Sequence, residues 1–270
     1  MHTWLLALIA IGAALLLFVA MFVFQELGWR LGRRRIAASQ TAGADASSLM
    51  DSAVFGLLGL LIGFTFSGAA ARFDHRRELV GNVVNTTGTA WQRIDLLPTQ
   101  LQDSVRIPFR RYLDSLLASY SVSELPANVF AEPSAVAQAQ AQTWTQAVKA
   151  CVTKEGEPAR ILLLPALNEM FGAVEAERLA RRIHPPPVIF AILGLTAVTA
   201  TFLAGYAGAS NERRGLVHRV GVAATLALAV YVIVELEYPR MGLVRVNSMD
   251  QALIELRTTM NSPIVGHVEQ

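Results

Sequence analysis

Four long apolar stretches constrain this chain more than any other feature of its sequence. Leu5 to Phe24 is 20 residues without a charge, about 30 Å of helix and enough to cross the hydrocarbon core of a bilayer. A second stretch runs from Ala53 to Ala71, bounded by Asp51 and Arg72. The third, Val188 to Gly208, follows Pro185-Pro186-Pro187, a run that can open a helix but cannot lie inside a regular one. The polar turn Ser210-Asn211-Glu212-Arg213-Arg214 leads to the fourth, Val220 to Leu236. Each is 17 residues or longer, which favours a membrane span over a buried helix of a soluble core. Only 16% of residues are charged, against about 25% in a soluble domain, and this agrees.

The first stretch reads as a retained helix. A secretory leader carries basic residues before its apolar run and a small-residue cleavage site after it. Here Met1-His2-Thr3 precedes the run, and Arg30, Arg33, Arg34 and Arg35 follow it. The expected fold class is therefore all-α, a four-transmembrane-helix membrane protein with a helical-bundle insert between transmembrane helices 2 and 3. Its segments are 1–71, two spans and a short basic loop; 72–186, the insert; 187–237, the last two spans; and 238–270, a short tail.

Four spans place the insert and both termini on one side of the bilayer. The positive-inside rule is read from short loops, roughly 60 residues or fewer. The loops carrying Arg30, Arg33, Arg34 and Arg35, and Arg213, Arg214 and Arg219, qualify; the 115 residues from Arg72 to Pro186 do not. The short loops are accordingly expected in the cytoplasm, with the insert and termini in the periplasm. Nearly all the basic residues are arginine, Lys149 and Lys154 being the exceptions. That bias suits a GC-rich bacterial genome and carries no mechanistic weight; the expected location is a bacterial inner (plasma) membrane.

The insert reads as four helices. Leu79, Val83, Ala90, Ile94 and Leu97 recur at helical steps, and no proline interrupts between Asp51 and Leu97, so the second span can continue as one long helix until Pro98 ends it. Val105, Phe109, Tyr112, Leu113, Leu116, Leu117 and Tyr120 mark the next helix, with Pro108 expected in its first turn. Glu124 to Pro133 reads as a loop, Ser134 to Lys154 as a third helix, and Ala159 to Ile183 as a fourth. Gly242 to Val246 suggests a short strand and Met249 to Met260 an amphipathic helix. Cys151 is the sole cysteine, so apolar packing rather than a disulfide must hold the insert together.

Three groups of residues stand out. Gly59 and Gly63, extended by Ser67 and preceded one turn earlier by Gly56, form a small-residue face on the second span. Such a face lets another helix approach closely, either within the chain's own four helices or at a subunit interface. Leu58, Ile62 and Phe66 recur every four residues; they are either ordinary lipid- or core-facing positions or an apolar constriction contributed by several subunits. Finally, topology gathers Arg72, Asp74, Arg76, Arg77, Arg181, Arg182, His184, Glu235 and Glu237 at one interface. They form either a belt of snorkelling side chains or a vestibule that attracts ions. Arg72 is the expected partner of Glu235, because an unpaired carboxylate in an apolar zone costs a few kcal/mol.

Enzyme signatures are missing. The histidines His2, His75, His184, His218 and His267 form no i, i+4 metal pair, and there is no phosphate-binding glycine loop, no Gly-x-Ser-x-Gly and no His-Glu-x-x-His. No cofactor, catalytic residue or metal ligand is expected. The arginines track membrane boundaries rather than a basic helix face, so nucleic acid is not an expected partner.

Several segments carry a family likeness. They are Gly28-Trp29-Arg30-Leu31-Gly32-Arg33-Arg34-Arg35; Gly59-Leu60-Leu61-Ile62-Gly63-Phe64-Thr65-Phe66-Ser67; Arg72-Phe73-Asp74-His75-Arg76-Arg77; Asn85, Gly88-Thr89-Ala90, Arg93, Leu96-Leu97-Pro98 and Tyr112; and Glu235-Leu236-Glu237-Tyr238-Pro239 with Gly242. Through them the chain resembles the bacterial bestrophin-like domain membrane family. Members often place an acid where this chain has Val83 and an arginine where it has Tyr238. The resemblance implies a distant likeness to bestrophins, pentameric anion channels with a pore-lining second transmembrane helix. Bestrophins keep their inserted helices in the cytoplasm, opposite to the sidedness read from the arginines, and both expectations stand. The leading expectation is a homo-oligomeric ion channel, with anions as candidate permeant species and the bilayer as its partner. The alternative is a membrane sensor or scaffold whose insert binds a ligand or another protein.

Overall fold

A computed structural model describes residues 2–38, 45–122, 134–210, 216–238 and 247–260. The regular elements among them are all helical: α1 (His2–Ala38), α2 (Asp45–Arg93), α3 (Thr99–Val122), α4 (Ser134–Val152), α5 (Arg160–Ala180), α6 (Pro187–Ala207), α7 (Leu216–Glu237) and α8 (Asn247–Thr259), with short 3-10 turns at Ile94–Leu96, Glu157–Ala159 and Gly208–Ser210. The strand expected at 242–246, the loop at 124–133, and Arg213 and Arg214 lie outside the described residues. Four helices are long and apolar enough to cross a membrane: Ala10–Ala38, Ser52–Leu96, Pro187–Ser210 and Arg219–Glu237. These are the four spans read from the sequence.

The chain divides into two compact units, one formed by residues 3–73 with 184–244 and the other by 74–183 with 245–270. α2 is one unbroken helix of 49 residues that contributes to both. No proline lies within it to interrupt its backbone hydrogen bonds.

The first unit has a core of small and medium side chains: Met21, Leu58, Ala69, Leu193, Ala197, Ala200, Ala223, Ala227 and Ile233. α1 and α6 approach each other closely. A Cβ at Gly28 would stand 2.1 Å from the Phe202 carbonyl oxygen, one at Gly32 2.5 Å from Ala209 Cβ, and one at Gly205 2.0 Å from the Gln25 carbonyl oxygen. Apolar helices in lipid gain little from hiding greasy surface against each other, so close van der Waals contact of this kind drives their association.

The second unit buries larger residues, including Phe109, Tyr112, Leu113, Leu163, Leu167 and Met170. Tyr112 meets Phe171 edge-on at 5.3 Å, a favoured aromatic geometry. α8 belongs to this core through Leu253 and Met260. Two polar ties hold it: Arg257 Nε donates to Asp114 Oδ1 at 2.7 Å, and Arg110 Nη2 donates to the Met260 carbonyl at 2.7 Å.

Pro108 is not in a first turn. Pro98 has already ended the preceding helix, and the Leu101 N–H donates to the Pro98 carbonyl at 2.8 Å, so α3 starts at Thr99 and Pro108 lies inside it. Its ring is buried, and this packing offsets the helix hydrogen bond that a proline cannot make.

Candidate functional site

The candidate residues lie on α2, at the C-terminal ends of α5 and α7, and just before α6. α2 turns about 100° per residue, so Leu58, Ala69 and Arg76 share its buried side while Gly56, Leu60, Gly63 and Ser67 lie opposite. A Cβ at Gly56, Gly59 or Gly63 meets nothing within 4 Å among the described residues, and Ser67 is exposed. Among the described residues these three glycines meet no helix of the same chain. Leu60 and Phe64 on the same open side are 54% and 69% exposed.

The candidate constriction residues are split. Leu58 is 1% exposed in the core of the first unit, and Ile62 packs against that core. Phe66 is 46% exposed. Four-residue spacing advances the helix by about 400°, a drift of 40° per step, so three such positions span the edge between the buried and open faces instead of sharing one side.

The charged group expected at a single interface divides between the units. In the first, Arg72 grips Glu237: Nη2 and Nε each lie 2.9 Å from Oε2. Glu237 is 0% exposed, and His184 Nδ1 approaches its Oε1 at 3.3 Å. The His184 ring stacks on Tyr238 with centroids 4.7 Å apart. The carboxylate that engages Arg72 is therefore Glu237, where the sequence pointed to Glu235. Residues two apart on a helix point about 200° away from each other. Glu235 is also buried, and it accepts a hydrogen bond from the Tyr231 hydroxyl one turn back.

In the second unit Arg76 is buried, and its Nη2 donates to the Ile183 carbonyl at 3.0 Å, with the Ala180 carbonyl 3.5 Å from Nε. It satisfies carbonyls at the end of α5, where a cation also opposes the helix dipole. Arg181 pairs with buried Glu177 at 2.8 Å and lies over the Tyr120 ring at 4.7 Å. Asp74 and Arg77 form a loose exposed pair at 3.9 Å, and Arg182 is half-buried. On the same helix the Arg178 hydrogen bonds to Glu175 hold that carboxyl below its ordinary value. Among the described residues, no three His, Cys, Asp or Glu side chains gather as a metal-binding group. Burial raises the Cys151 thiol above its ordinary value, which leaves it poorly reactive.

Two features escaped the sequence reading. One is the α1–α6 seam, signalled by Gly28-x-x-x-Gly32 and Gly205-x-x-x-Ala209. The other is the tie from Arg219 Nη2 to Glu26 Oε2 at 3.3 Å, which links α7 to α1 and has no local sequence signature.

The family model described as Bestrophin-like domain matches residues 26–250. Among solved structures, the fold is similar to a bacterial bestrophin homologue from Klebsiella pneumoniae. One single-substitution variant of it gives a TM-score of 0.68 at 17% identity, covering 91% of this chain and 99% of that one. Another gives 0.67 at 15% identity, covering 92% and 99%. A structure described as a membrane protein gives 0.65 at 16% identity, covering 90% and 98%. A comparison with curated proteins finds no match.

Proposed function

Because this chain belongs to the bestrophin-like family, we propose that it is a homo-oligomeric, ion-conducting membrane protein in which α2 lines a central axis. The observation that carries the reading is the open face of α2. Its glycines have no neighbour among the described residues, and Leu60 and Phe64 project beside them. In a bilayer such a face meets either lipid or a second copy, and small residues favour the copy. The apolar constriction is then assigned to Leu60 and Phe64, one turn apart, in place of Leu58 and Ile62; a narrow apolar ring can gate by dewetting. Anions are the proposed permeant species, as the resemblance to bestrophins implies. The proposed location is a bacterial inner membrane with the short loops in the cytoplasm.

Purified protein in liposomes is expected to pass chloride, and Phe64→Ala to increase the flux. No chloride or cation flux over a range of pH and voltage would overturn the proposal. A side-specific reporter fused at Ala135 tests the sidedness separately.

One observation favours a second reading, a membrane sensor whose insert binds a small ligand. A cleft of about 320 Å³ opens between α4 and α5, lined by Gln140, Trp144, Asn168 and Phe171, and lies at the small end of ligand-site volumes. Oligomeric state separates the readings: a ring of four or more supports conduction, whereas a monomer or dimer supports sensing.

A further inference from the structure

α1 outlasts its apolar run. Its 37 residues make about 55 Å of helix, against a hydrocarbon core of about 30 Å. The last turns, which carry Trp29 and four arginines, therefore stand at a membrane surface. Two of these arginines are committed within the protein: Arg30 Nε donates to Glu26 Oε1 at 2.9 Å, and Arg35 Nη1 donates to the Tyr206 hydroxyl at 2.7 Å. The other two make no such hydrogen bond among the described residues. Arg33 lies over the Trp29 ring at 5.4 Å, and among the described residues neither Arg33 nor Arg34 meets a carboxylate. Both are exposed.

The seam through Gly28 and Gly32 clamps one side of these turns to α6, so Arg33 and Arg34 are displayed from a backbone that cannot swing. Helical rotation also places Val23, Leu27 and Arg34 in one column. Val23 and Leu27 are exposed, so an apolar strip leads directly from the transmembrane stretch to these exposed cations.

We infer that Arg33 and Arg34 form a headgroup site for an anionic glycerophospholipid. The guanidinium groups hold the phosphate, for which their forked donors are well shaped. Trp29 sits at the level where indoles anchor membrane proteins, and an acyl chain lies along Leu27 and Val23. The apolar strip is what selects a lipid over a soluble anion, which could use the charges but not the strip. The site holds whether or not the protein conducts ions.

The test uses the full-length protein in neutral detergent, with thermal unfolding as readout. It is titrated with phosphatidylglycerol, with phosphatidylcholine of the same chains, and with inorganic phosphate. Phosphatidylglycerol alone is expected to raise Tm, and added salt to shrink the rise. Arg33→Gln/Arg34→Gln should raise the phosphatidylglycerol concentration needed for the response on the order of thirtyfold, from the usual contribution of two arginines at an anionic surface, and leave Tm without lipid nearly unchanged. Arg30→Gln, which removes the arginine already paired to Glu26, should shift it less than about twofold. An equal response to phosphatidylcholine, or an unaltered phosphatidylglycerol response in the double variant, overturns the site. A Tm rise from phosphate alone overturns the lipid as its occupant.

Discussion

Two glycine faces in the membrane helices look alike in sequence and are used in opposite ways. Gly28 and Gly32 on α1 are pressed against the α6 backbone, where an added methyl group has nowhere to go. Gly56, Gly59 and Gly63 on α2 face open space among the described residues. The difference teaches that small-residue spacing states only that a helix can be approached. Which helix approaches, and from which chain, depends on what the remaining elements leave uncovered.

The largest effect expected from this contrast is at the closed seam. Gly28→Leu should prevent recovery of folded protein, and Gly28→Ala should cost about 2–3 kcal/mol by forcing α1 and α6 apart, read as thermal unfolding in detergent. Gly59→Ala should change the stability of the protomer by less than about 1 kcal/mol. If the two substitutions destabilised equally, the contrast between the faces would be lost. Gly59→Leu sharpens it further: the protomer should stay folded while the oligomer dissociates, as seen by light scattering. An intact oligomer would move the subunit contact elsewhere.

Second only to Gly28→Leu is the loss expected at the Arg72–Glu237 pair. Removing one partner of a buried ion pair costs about 3–5 kcal/mol, so Arg72→Ala and Glu237→Ala should each destabilise strongly. The double variant should recover part of that loss, by more than about 1 kcal/mol of coupling. Arg72→Ala with Glu235→Ala should show the smaller coupling, and the reverse order would restore Glu235 as the partner.

Smaller still is the docking of α8 onto α3. Arg257→Ala removes the Asp114 pair, in which the arginine is well covered and the carboxylate half exposed; a loss of about 1 kcal/mol or less is expected, together with faster amide exchange confined to α8. The smallest effect is at Glu175. Its carboxyl is lowered on folding by the Arg178 hydrogen bonds, so the stabilisation is present above its ordinary value of 4.5 and is lost as pH falls through the lower folded value. Glu175→Gln should remove that acid-side slope and leave neutral pH almost unchanged.

Much of the architecture is legible from residues alone. Leu5 to Phe24 and the three later apolar stretches are spans because their length and lack of charge leave few alternatives. Pro98 and Pro187 mark helix boundaries for covalent reasons, since proline lacks the N–H and restricts the residue before it. Pro108 misleads because its ring is tolerated inside α3 only through burial, a condition no local rule can see. The same holds for Leu58, whose spacing with Ile62 and Phe66 suggests a lumen until the other helices of its unit enclose it.

The chain's own chemistry determined that it is helical, that four stretches suit a bilayer, and that more than a hundred residues separate the middle two. Those properties follow from transfer free energies and backbone hydrogen bonding, which act over a few turns at most. Only the tertiary structure decided that Glu237 and not Glu235 engages Arg72, that Gly28 and not Gly59 closes a seam, and that Arg33 and Arg34 meet no acidic partner among the described residues where Arg30 has one. Each of those depends on the rotation of one helix against another, and a rotation of about 100° per residue turns a one-residue difference into a different neighbour.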